Sequence, residues 1–349
     1  MSDAKTFDLS CGLPIENHAR IKLAHGGGGR AMARLIEEVF IAAFDNPLLR
    51  EGHDGAVLDL PRGRSVLTTD SFVVRPLFFP GGDIGSLAIN GTVNDLAMCG
   101  AKPLYLTASF ILEEGLETEI LRRVVRSMRT AADAAGVAIV TGDTKVVERG
   151  RGDGIYINTA GVGCIERDMS VAPQRIAAGD AILLNGDIGR HGMAVMGARE
   201  ALAFTTPIES DCASLWHTVD ALLSANIDVH CLRDATRGGL SAVLNELAQA
   251  SGLQFDIVEG DIPVSARVRG ACEVLGLDAM QVACEGRFVA LVPESAAERA
   301  LAIMKSRDDA ARIIGRATAG EPGLVTLHTL IGGRRILDMP AGELLPRIC

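Results

Sequence analysis

The stretch TTDSFVVRPLFFPGGDIGSLAINGTVNDLAMCGA, residues 68–101, places two different periodicities next to each other. Its first part belongs to the run SVLTTDSFVV (65–74), which is rich in β-branched residues and predicts a strand. The second part begins at DIGSLAIN and predicts a helix with an unusual polar face. Asn90 and Asn94 are four residues apart and share that face, and Asp95 adjoins them. A strand followed by a helix of this kind indicates a mixed α/β fold.

The same alternation of strand and helix patterns extends along the chain in both directions. AVLDL (56–60) and VAIVTGDTKVV (137–147) predict strands, and DCASLWHTVDALLSA (211–225) predicts a helix. The pattern restarts near residue 166, so the sequence predicts two mixed α/β domains. The expected units are an N-terminal segment with a glycine-rich loop, a first α/β domain, a second α/β domain and a mobile tail, at 1–40, 41–165, 166–334 and 335–349.

The composition is that of a globular protein, with 48% hydrophobic and 22% charged residues in a chain of 349. The net charge of −10 and the scattered basic residues argue against nucleic acid as a partner. No apolar run approaches the roughly 18 residues that a membrane helix needs. The N-terminus MSDAKTFDLS also lacks the basic-then-apolar pattern of a secretion signal. We therefore expect a cytoplasmic protein with neither nucleic acid nor a membrane as partner.

A glycine-rich loop, HGGGG (25–29), lies near the N-terminus. Backbone N–H groups in such a loop can bind phosphate oxygens. No Gly-Lys-Ser/Thr follows, so the loop is not a P-loop. The motif is equally typical of a flexible linker, and both interpretations stay open from the residues alone.

Several aspartates occur beside glycine or other small residues. Each of them alone is most simply explained as the cap of a helix or a turn. Together they are typical of a magnesium–nucleotide site, because Mg²⁺ prefers carboxylate oxygens plus substrate phosphates over a complete protein cage. These aspartates are Asp54, Asp70, Asp95, Asp143 and Asp234.

The chain ends in GELLPRIC, so that its last residue is Cys349. A thiol at a chain end is accessible, and it is a liability unless its chemistry is used. The apolar residues beside it are typical of a tail that docks into a groove. Lys145 in GDTK and Glu285 in CEGR are of types usually found as solvated charges, and each becomes a catalytic candidate only if it reaches Cys349. None of the eight cysteines forms a C-x-x-C pair, so a local zinc or iron–sulfur site is not indicated.

Taken together, these motifs resemble the HypE family of hydrogenase maturation factors over nearly the whole chain. The matching stretches include HGGGG, DGAVLDL, VTGDTKVV, DATRGGL and the terminal PRIC, which is the most specific of them. The wider superfamily contains aminoimidazole ribonucleotide synthetase, selenophosphate synthetase and thiamine-monophosphate kinase. The resemblance implies a mixed α/β (α+β) fold of two domains like that of aminoimidazole ribonucleotide synthetase, with a flexible C-terminal tail. It further implies a homodimer through the N-terminal domains, with ATP bound between the domains.

The resemblance also implies an activity that gives the terminal cysteine a purpose. In that family a carbamoyltransferase partner, HypF, places a carbamoyl group on this cysteine. The protein then uses ATP to dehydrate the thiocarboxamide to a thiocyanate. A HypC–HypD complex receives the cyanide on iron for the active site of nickel–iron hydrogenase.

For individual residues, the resemblance implies Cys349 as the carrier, Glu285 as the base and Lys145 as the group that polarises or orients the substrate. It implies Asp54, Asp95 and Asp234 as ligands of Mg²⁺. The implied contacts to ATP are Asp54, Asp70, Asp83, Asn94, Asp95, Asp143 and Asp234.

Two other kinds of protein fit part of the sequence. One is a small-molecule ATP enzyme of the same superfamily. Selenophosphate synthetase carries a reactive cysteine or selenocysteine in its glycine-rich segment, whereas LAHGGGGR has none and Cys11 lies well upstream. A thiamine-monophosphate kinase would leave PRIC without a purpose. The other kind is a non-catalytic scaffold that only presents its tail, which a stoichiometric single-turnover assay would separate from an enzyme.

Overall fold

The computed structural model describes residues 19–200, 207–342, 345 and 348–349. Of the stretches used in the sequence analysis, MSDAKTFDLS (1–10), Cys11, and Glu343, Leu344, Pro346 and Arg347 of GELLPRIC lie outside these ranges. Within the described ranges the chain forms two mixed α/β domains, and the predicted fold class is confirmed. In the described part of the chain, no helix combines the length and the apolar composition that crossing a membrane requires.

The first domain begins with short helical segments and continues with longer strands and helices. Its helices are α1 (Arg30–Leu35), α2 (Ala42–Phe44), α3 (Pro47–Arg50), α4 (Ile84–Met98) and α5 (Thr118–Ala135), with a π-helical segment (Ile36–Ile41) between α1 and α2. Its strands are β1 (Arg64–Phe72), β2 (Phe78–Phe79), β3 (Gly82–Asp83), β4 (Lys102–Glu113), β5 (Ala138–Val147) and β6 (Ile155–Ile165).

Four of these strands form a sheet in the order β1–β6–β4–β5. Strands β1 and β4 run antiparallel to β6, and β5 runs parallel to β4. Helix α4 packs on one face of this sheet. The other face carries the neighbouring residues Leu67, Val162 and Tyr105 of three adjacent strands, and Leu67 is 75% exposed. The sheet therefore has an uncovered face with apolar residues on it, bounded by the edges β1 and β5.

The second domain repeats the mixture with a larger sheet. Its helices are α6 (Arg190–Arg199), α7 (Trp216–Ser224), α8 (Gly239–Ser251), α9 (Ala266–Leu275) and α10 (Glu294–Lys305). Its strands are β7 (Asp180–Leu184), β8 (Cys231–Asp234), β9 (Gln254–Val258), β10 (Phe288–Pro293), β11 (Arg312–Thr318), β12 (Val325–His328) and β13 (Arg334–Ile336). They pair in the order β13–β12–β9–β11–β7–β10–β8, and of these neighbours only β9 and β12 are parallel.

Helix α4 joins the two domains, and its predicted existence is confirmed. Asp83 is its N-cap and accepts hydrogen bonds from the N–H groups of Gly85 and Ser86. This cap explains why the helix starts where the glycine-rich turn ends. The helix is buried along most of its length because it lies between the first sheet and the second domain.

Among the described residues, one predicted strand is absent, and one predicted helix starts later than expected. Residues 56–60 form no strand, and Val57 is 80% exposed in the loop before β1. No described strand pairs with this segment. An apolar alternation does not form a strand without a partner strand to bond to. The helix predicted over 211–225 begins only at Trp216. The carboxylate of Asp211 instead accepts from the N–H of Glu285 in its own domain, and the N–H of Leu215 donates to Asn94 of the first domain.

Candidate active site

A cavity of about 490 Å³ opens between the two domains. The first domain contributes Asp70 of β1 and Asp95 of α4 to its wall. The second domain contributes Asp234 at the end of β8, together with Glu285 and the chain end, Cys349. Residues that are far apart in the sequence therefore share one space, and it lies where the resemblance implies ATP.

Two aspartates of the cavity lie on β1 and α4, the strand and helix that residues 68–101 predict. Asp95 accepts a hydrogen bond from the Thr68 hydroxyl at 2.8 Å. Asp70, two residues along the same strand, accepts one from the N–H of Ser71 at 2.8 Å. Because side chains alternate along a strand, Thr68 and Asp70 lie on the same face of β1, the one that α4 covers. Asp234 faces them from β8 and is buried.

These carboxylates have raised pKa values, although Arg233 and Arg237 lie close enough to oppose the shift. Burial raises the pKa of Asp70 and of Asp95. Burial and the nearby Asp95 carboxylate raise the pKa of Asp234 to about 7. Such crowding of like charges is relieved by a cation, and carboxylate oxygens are the donors that Mg²⁺ prefers. Asp70, Asp95 and Asp234 therefore fit a divalent cation.

Asp54 lies away from this group. It is exposed in the loop between α3 and β1, where its N–H donates to Nδ1 of His53 at 2.9 Å. Over the described ranges, no three His, Cys, Asp or Glu side chains are already gathered as a metal site. The assignment of Asp54 as a metal ligand stays a prediction, and it requires the loop to move toward the cavity.

Glu285 has the environment expected of a perturbed acid or base. It is 3% exposed, and its Oε1 has no hydrogen-bond partner among the described residues. Burial, followed by the charges of Asp234 and Asp211, raises the pKa of Glu285 well above its usual value. Arg237 of the same cavity wall acts in the opposite direction. A buried carboxyl with an unsatisfied oxygen in a cavity is a candidate for proton transfer.

The backbone at Glu285 is fixed by Asp211, which the sequence analysis did not identify. One oxygen of Asp211 accepts from the N–H groups of Glu285 at 3.2 Å and Gly286 at 3.1 Å. Its other oxygen accepts from the N–H of His191 at 2.9 Å. A Cβ at Gly286 would come within 1.9 Å of the Asp211 carbonyl oxygen, so only glycine fits there.

The chain end, expected to be mobile, is docked at its described positions. Leu345 and Ile348 are 8% and 6% exposed. The carbonyl of Ile348 accepts a hydrogen bond from Nε2 of His191 at 2.6 Å. Cys349 follows directly, is half-buried and lines the cavity. The apolar residues of the tail therefore act as anchors, in agreement with the docking predicted from the sequence.

Lys145 and Asp143 lie outside the cavity. Both are exposed on β5, where Lys145 Nζ is 2.6 Å from a carboxylate oxygen of Asp143 and lowers the pKa of Asp143. In the register of the sheet they neighbour Ile111 and Ser109, on the face opposite to that of α4. Neither residue is among those that line the cavity of the same chain. Their assignments to catalysis and to ATP stay predictions.

Two other predicted ATP contacts have structural partners. The amide of Asn94 donates to the carbonyls of Ala213 and Glu285, and its oxygen accepts from the N–H of Leu215 at 2.8 Å. The polar atoms of Asn94 therefore tie α4 to the second domain. Asp83 is the cap of α4. A nucleotide contact from either residue is a prediction that competes with these hydrogen bonds.

The glycine-rich loop lies beside β5 and not in the cavity wall. Its first residue, His25, is buried and accepts a hydrogen bond at Nδ1 from the N–H of Lys22. Gly26 packs so closely on β5 that a Cβ there would come 2.9 Å from the backbone nitrogen of Val146. Close packing favours a structural role for Gly26, while phosphate binding by the exposed glycines that follow stays a prediction.

Four residues of the site region were missed by sequence reasoning: Arg233 and Arg237 in the cavity wall, and His191 and Asp211 behind it. Arg237 lies within the motif DATRGGL, so the motif carried a signal for it. His191 and Asp211 have no local signal, because their importance comes from contacts between segments that are distant in sequence.

Comparison with known proteins places these features in a family. The chain matches the model of the N-terminal domain of AIR synthase related proteins over residues 52–165, and that of their C-terminal domain over 177–327. It is 50% identical over 331 residues to carbamoyl dehydratase HypE of Azotobacter vinelandii, covering 94% of this chain and 97% of the relative. The Escherichia coli (strain K12) HypE is 49% identical, covering 94% and 99%.

Similar solved structures belong to the same family. A hydrogenase maturation protein HypE in complex with ATP has a TM-score of 0.91 and 47% identity, over 94% of this chain and 99% of that one. The matching chain of a HypE–HypF complex has a TM-score of 0.77 and 50% identity, over 88% and 99%. The resemblance found from the motifs is confirmed, and the chain belongs to the HypE family of carbamoyl dehydratases.

Proposed function

We propose that this protein uses ATP to dehydrate a carbamoyl group carried on the sulfur of Cys349, forming a thiocyanate that supplies cyanide for the iron of nickel–iron hydrogenase. The observation that carries the proposal is the position of the chain end. Cys349 lies in the wall of the same cavity as Glu285, the buried Asp234 and the partly buried Asp70 and Asp95. The substrate-bearing atom, a base and a set of carboxylates suited to a divalent cation are then combined in one chain.

The chemistry has two parts. The amide oxygen of the S-carbamoyl group is a poor leaving group, so it first attacks the γ-phosphate of ATP, releasing ADP, while one N–H proton departs. The C–O bond then breaks, phosphate leaves, the second N–H proton departs and a C≡N bond forms. Atoms balance as thiocarboxamide plus ATP giving thiocyanate, ADP, hydrogen phosphate and one proton. The protein must therefore accept protons from nitrogen close to the sulfur.

Glu285 suits that proton acceptor. It lines the cavity with Cys349, and Oε1 lacks a partner among the described residues. Its raised pKa makes the ionised carboxylate a stronger base than an ordinary glutamate, and makes the protonated product stable. Asp211 holds the backbone of Glu285 and so limits the positions that its carboxyl can take.

The aspartates suit the phosphate end of the reaction. Asp70, Asp95 and Asp234 would hold Mg²⁺, which when bound supplies positive charge to the triphosphate. Arg233 and Arg237 line the same cavity and add positive charge of the chain's own. A guanidinium can pair with phosphate oxygens in a bidentate way, which orients the nucleotide.

We also propose a homodimer through the first domain. The uncovered face of its sheet carries Leu67, Tyr105 and Ile111, and Ile111 is 44% exposed. Such a face, bounded by unpaired edges, favours a second copy as its cover. Since Lys145 lies on this face and outside its own cavity, its part in the chemistry requires Lys145 of the second copy to reach that cavity.

Partners follow from the position of the tail and from the relatives. A HypE has been solved with HypF, and we propose that HypF carbamoylates Cys349 of this chain as well. We further propose that a HypC–HypD complex accepts the cyanide, and that the reactions take place in the cytoplasm. Both partners must reach a thiol that the structure shows half-buried, so the tail must leave its groove to meet them.

The test is the intact mass of the C-terminal peptide before and after addition of a carbamoyl donor system and ATP. The wild-type peptide should gain the mass of a carbamoyl group and then lose that of water. Glu285→Gln should keep the carbamoyl group with ATP present, whereas Glu273→Gln, an exposed residue of α9, should behave as wild type. Transferable cyanide from Cys349→Ser would overturn the proposed function.

A further inference from the structure

A hydrogen bond from His191 to the carbonyl of Ile348 connects the docked tail to the second domain. His191 is fully buried at the start of α6, and its Nε2 lies 2.6 Å from the carbonyl oxygen of Ile348. A carbonyl can only accept, so Nε2 carries the proton. Nδ1 then accepts, and the hydroxyl of Ser210 lies 2.9 Å from it as donor.

The ring is held on several sides. Phe79 meets it edge to face, with ring centroids 5.3 Å apart and an interplanar angle of 88°. The backbone N–H of His191 donates to Asp211. Burial lowers the pKa of His191, so the imidazole is neutral in the state that the hydrogen bonds require. A ring fixed in this way presents its one N–H in a single direction.

The same carboxylate links this ring to the candidate base. Asp211 accepts from His191 with one oxygen and from Glu285 and Gly286 with the other. The backbone of the residue that grips the tail and the backbone of the base are thereby tied to one buried group. Movement of either relative to the other would break hydrogen bonds inside the protein, where they are costly to lose.

The grip is on a backbone carbonyl and not on a side chain. Leu345 packs beside Gly192, where a Cβ would come 3.2 Å from its Cδ1, and Ile348 is buried. These apolar contacts hold the tail in the groove without fixing its register. A groove of about 610 Å³ lies alongside, lined by Pro340, Leu345, Ile348 and Cys349 among others, so the tail has room to shift.

We propose that His191 is a positioning residue that sets the register of the C-terminal tail, gripping the carbonyl of Ile348 so that the sulfur of Cys349 is held beside Glu285. Its catalytic consequence rests on the proposed function, but the grip itself does not. Because the carbonyl precedes Cys349 directly, one residue inserted after Ile348 would move the sulfur by about 3.3 Å or more.

The test uses the full chain with His191→Phe and His191→Gln. Phenylalanine keeps the ring shape without the donor, whereas the amide nitrogen of glutamine can donate near the position of Nε2. The first readout is the rate at which iodoacetamide alkylates Cys349, followed by mass on the peptide LLPRIC (344–349) after cleavage at Glu343. It needs neither a carbamoyl group nor ATP.

We expect His191→Phe to speed alkylation of Cys349 about tenfold, the effect of losing one good hydrogen bond, and His191→Gln to stay within about threefold of wild type. The buried Cys272 and Cys284 serve as internal controls, and their alkylation should stay slow in both variants. In a single turnover of carbamoylated protein, His191→Phe should slow dehydration while ATP affinity is kept, and His191→Gln should restore the rate.

An unchanged alkylation rate in His191→Phe would overturn the proposal. So would equal acceleration in both variants, or acceleration of Cys272 and Cys284 together with Cys349, since these report general loosening. If His191→Phe does not fold, Ser210→Ala provides the test. It removes the group that holds the tautomer, and it should speed alkylation of Cys349 about threefold with the two controls unchanged. Slow dehydration by wild-type protein with a normal alkylation pattern would count against the proposed function alone.

Discussion

Asp234 and Asp143 both belong to the aspartates that occur beside glycine or other small residues, yet the structure gives them opposite environments. Asp234 is buried between like charges, and its pKa is raised to about 7. Asp143 is exposed beside Lys145, which lowers the pKa of Asp143. At the first site Arg233 opposes the rise of the pKa without offsetting burial, whereas at the second site Lys145 pairs directly with the carboxylate. Under the proposed function, the cavity receives a cation as Mg²⁺, whereas β5 supplies the positive charge of Lys145 to the cavity of the second copy.

The largest effect expected from this comparison concerns Lys145, which under the proposal reaches the cavity of the second copy. Lys145→Ala and Cys349→Ser should each slow dehydration by a factor of about 100 or more as pure homodimers. Mixed dimers of the two variants should recover activity, because one cavity then combines an intact Cys349 with the lysine of the other copy. The single-turnover yield after subunit exchange measures this.

Failure of the mixture to recover, with mixed dimers demonstrated by mass, would place Lys145 in its own chain's reaction. Lys102→Ala, an exposed lysine at the start of β4, is the matched control for loss of a surface charge and should be fully active. A protein that sediments as a monomer at micromolar concentration would contradict the dimer itself.

The next effect concerns the Mg²⁺ that we propose at Asp70, Asp95 and Asp234. Asp95→Ala and Asp234→Ala should lower the affinity for ATP in Mg²⁺ about 100-fold, and remove the difference between titrations with and without Mg²⁺. Asp143→Ala, on the exposed strand, should change the affinity far less if it contributes only through Lys145. Calorimetry with ATP gives both quantities. Equal affinity in all three variants would leave the buried aspartates without a role in binding.

A smaller effect concerns stability. The folded-state pKa of Asp234 lies above the unfolded value of about 3.9, so folding favours its protonated form. Its stabilising contribution is fully present below the unfolded pKa and is lost as the pH rises through about 7. Between pH 5 and pH 7 in EDTA, the free energy of unfolding should fall by about 2 kcal/mol from this group.

Asp234→Asn should flatten that part of the pH dependence, and Asp143→Asn should not. Urea unfolding at the two pH values measures the difference. A wild-type slope retained in Asp234→Asn would assign the titration to another group of the cavity, such as Glu285.

The smallest effect expected is that of Thr68→Val. The change keeps the shape of the side chain and removes the hydroxyl that donates to Asp95 at 2.8 Å. Loss of this one hydrogen bond should weaken Mg²⁺-dependent ATP binding about threefold to tenfold. Ser65→Ala, which removes an exposed hydroxyl of β1 that does not line the cavity, is the control in the same calorimetric experiment. An equal loss in both variants would point to strand damage.

The sequence predicted the fold where the information is local. The β-branched run that became β1 and the capped helix α4 are confirmed, because each is specified within its own stretch. The strand predicted at 56–60 is wrong because a strand also depends on a neighbour, which an isolated segment does not reveal. The helix predicted over 211–225 exists as α7, and only its start at Asp211 is wrong, because Asp211 instead contacts the loop that precedes β10.

For the candidate site, the identities of the residues were predictable from the sequence, but their environments were not. Asp70, Asp95, Asp234, Glu285 and Cys349 were identified from residue type and motif, and the structure brings all five to one cavity. Their environments were not predictable, because burial and like-charge crowding arise only when the two domains meet. The motif DTK gave no sign that Lys145 would point to the other face of its sheet, which follows from the register of β5 on β4.

The docking of the chain end has a consequence for kinetics. Leu337, 1% exposed and gripped through its carbonyl by Asn245, is a firm anchor, and only twelve positions separate it from residue 349. A reactant on so short a tether meets its site at an effective concentration of the order of millimolar, whatever the concentration of the protein. Dilution would therefore not slow the encounter, and no saturation curve for the modified thiol would exist. Competition from small thiocarboxamides in solution would be weak for the same reason.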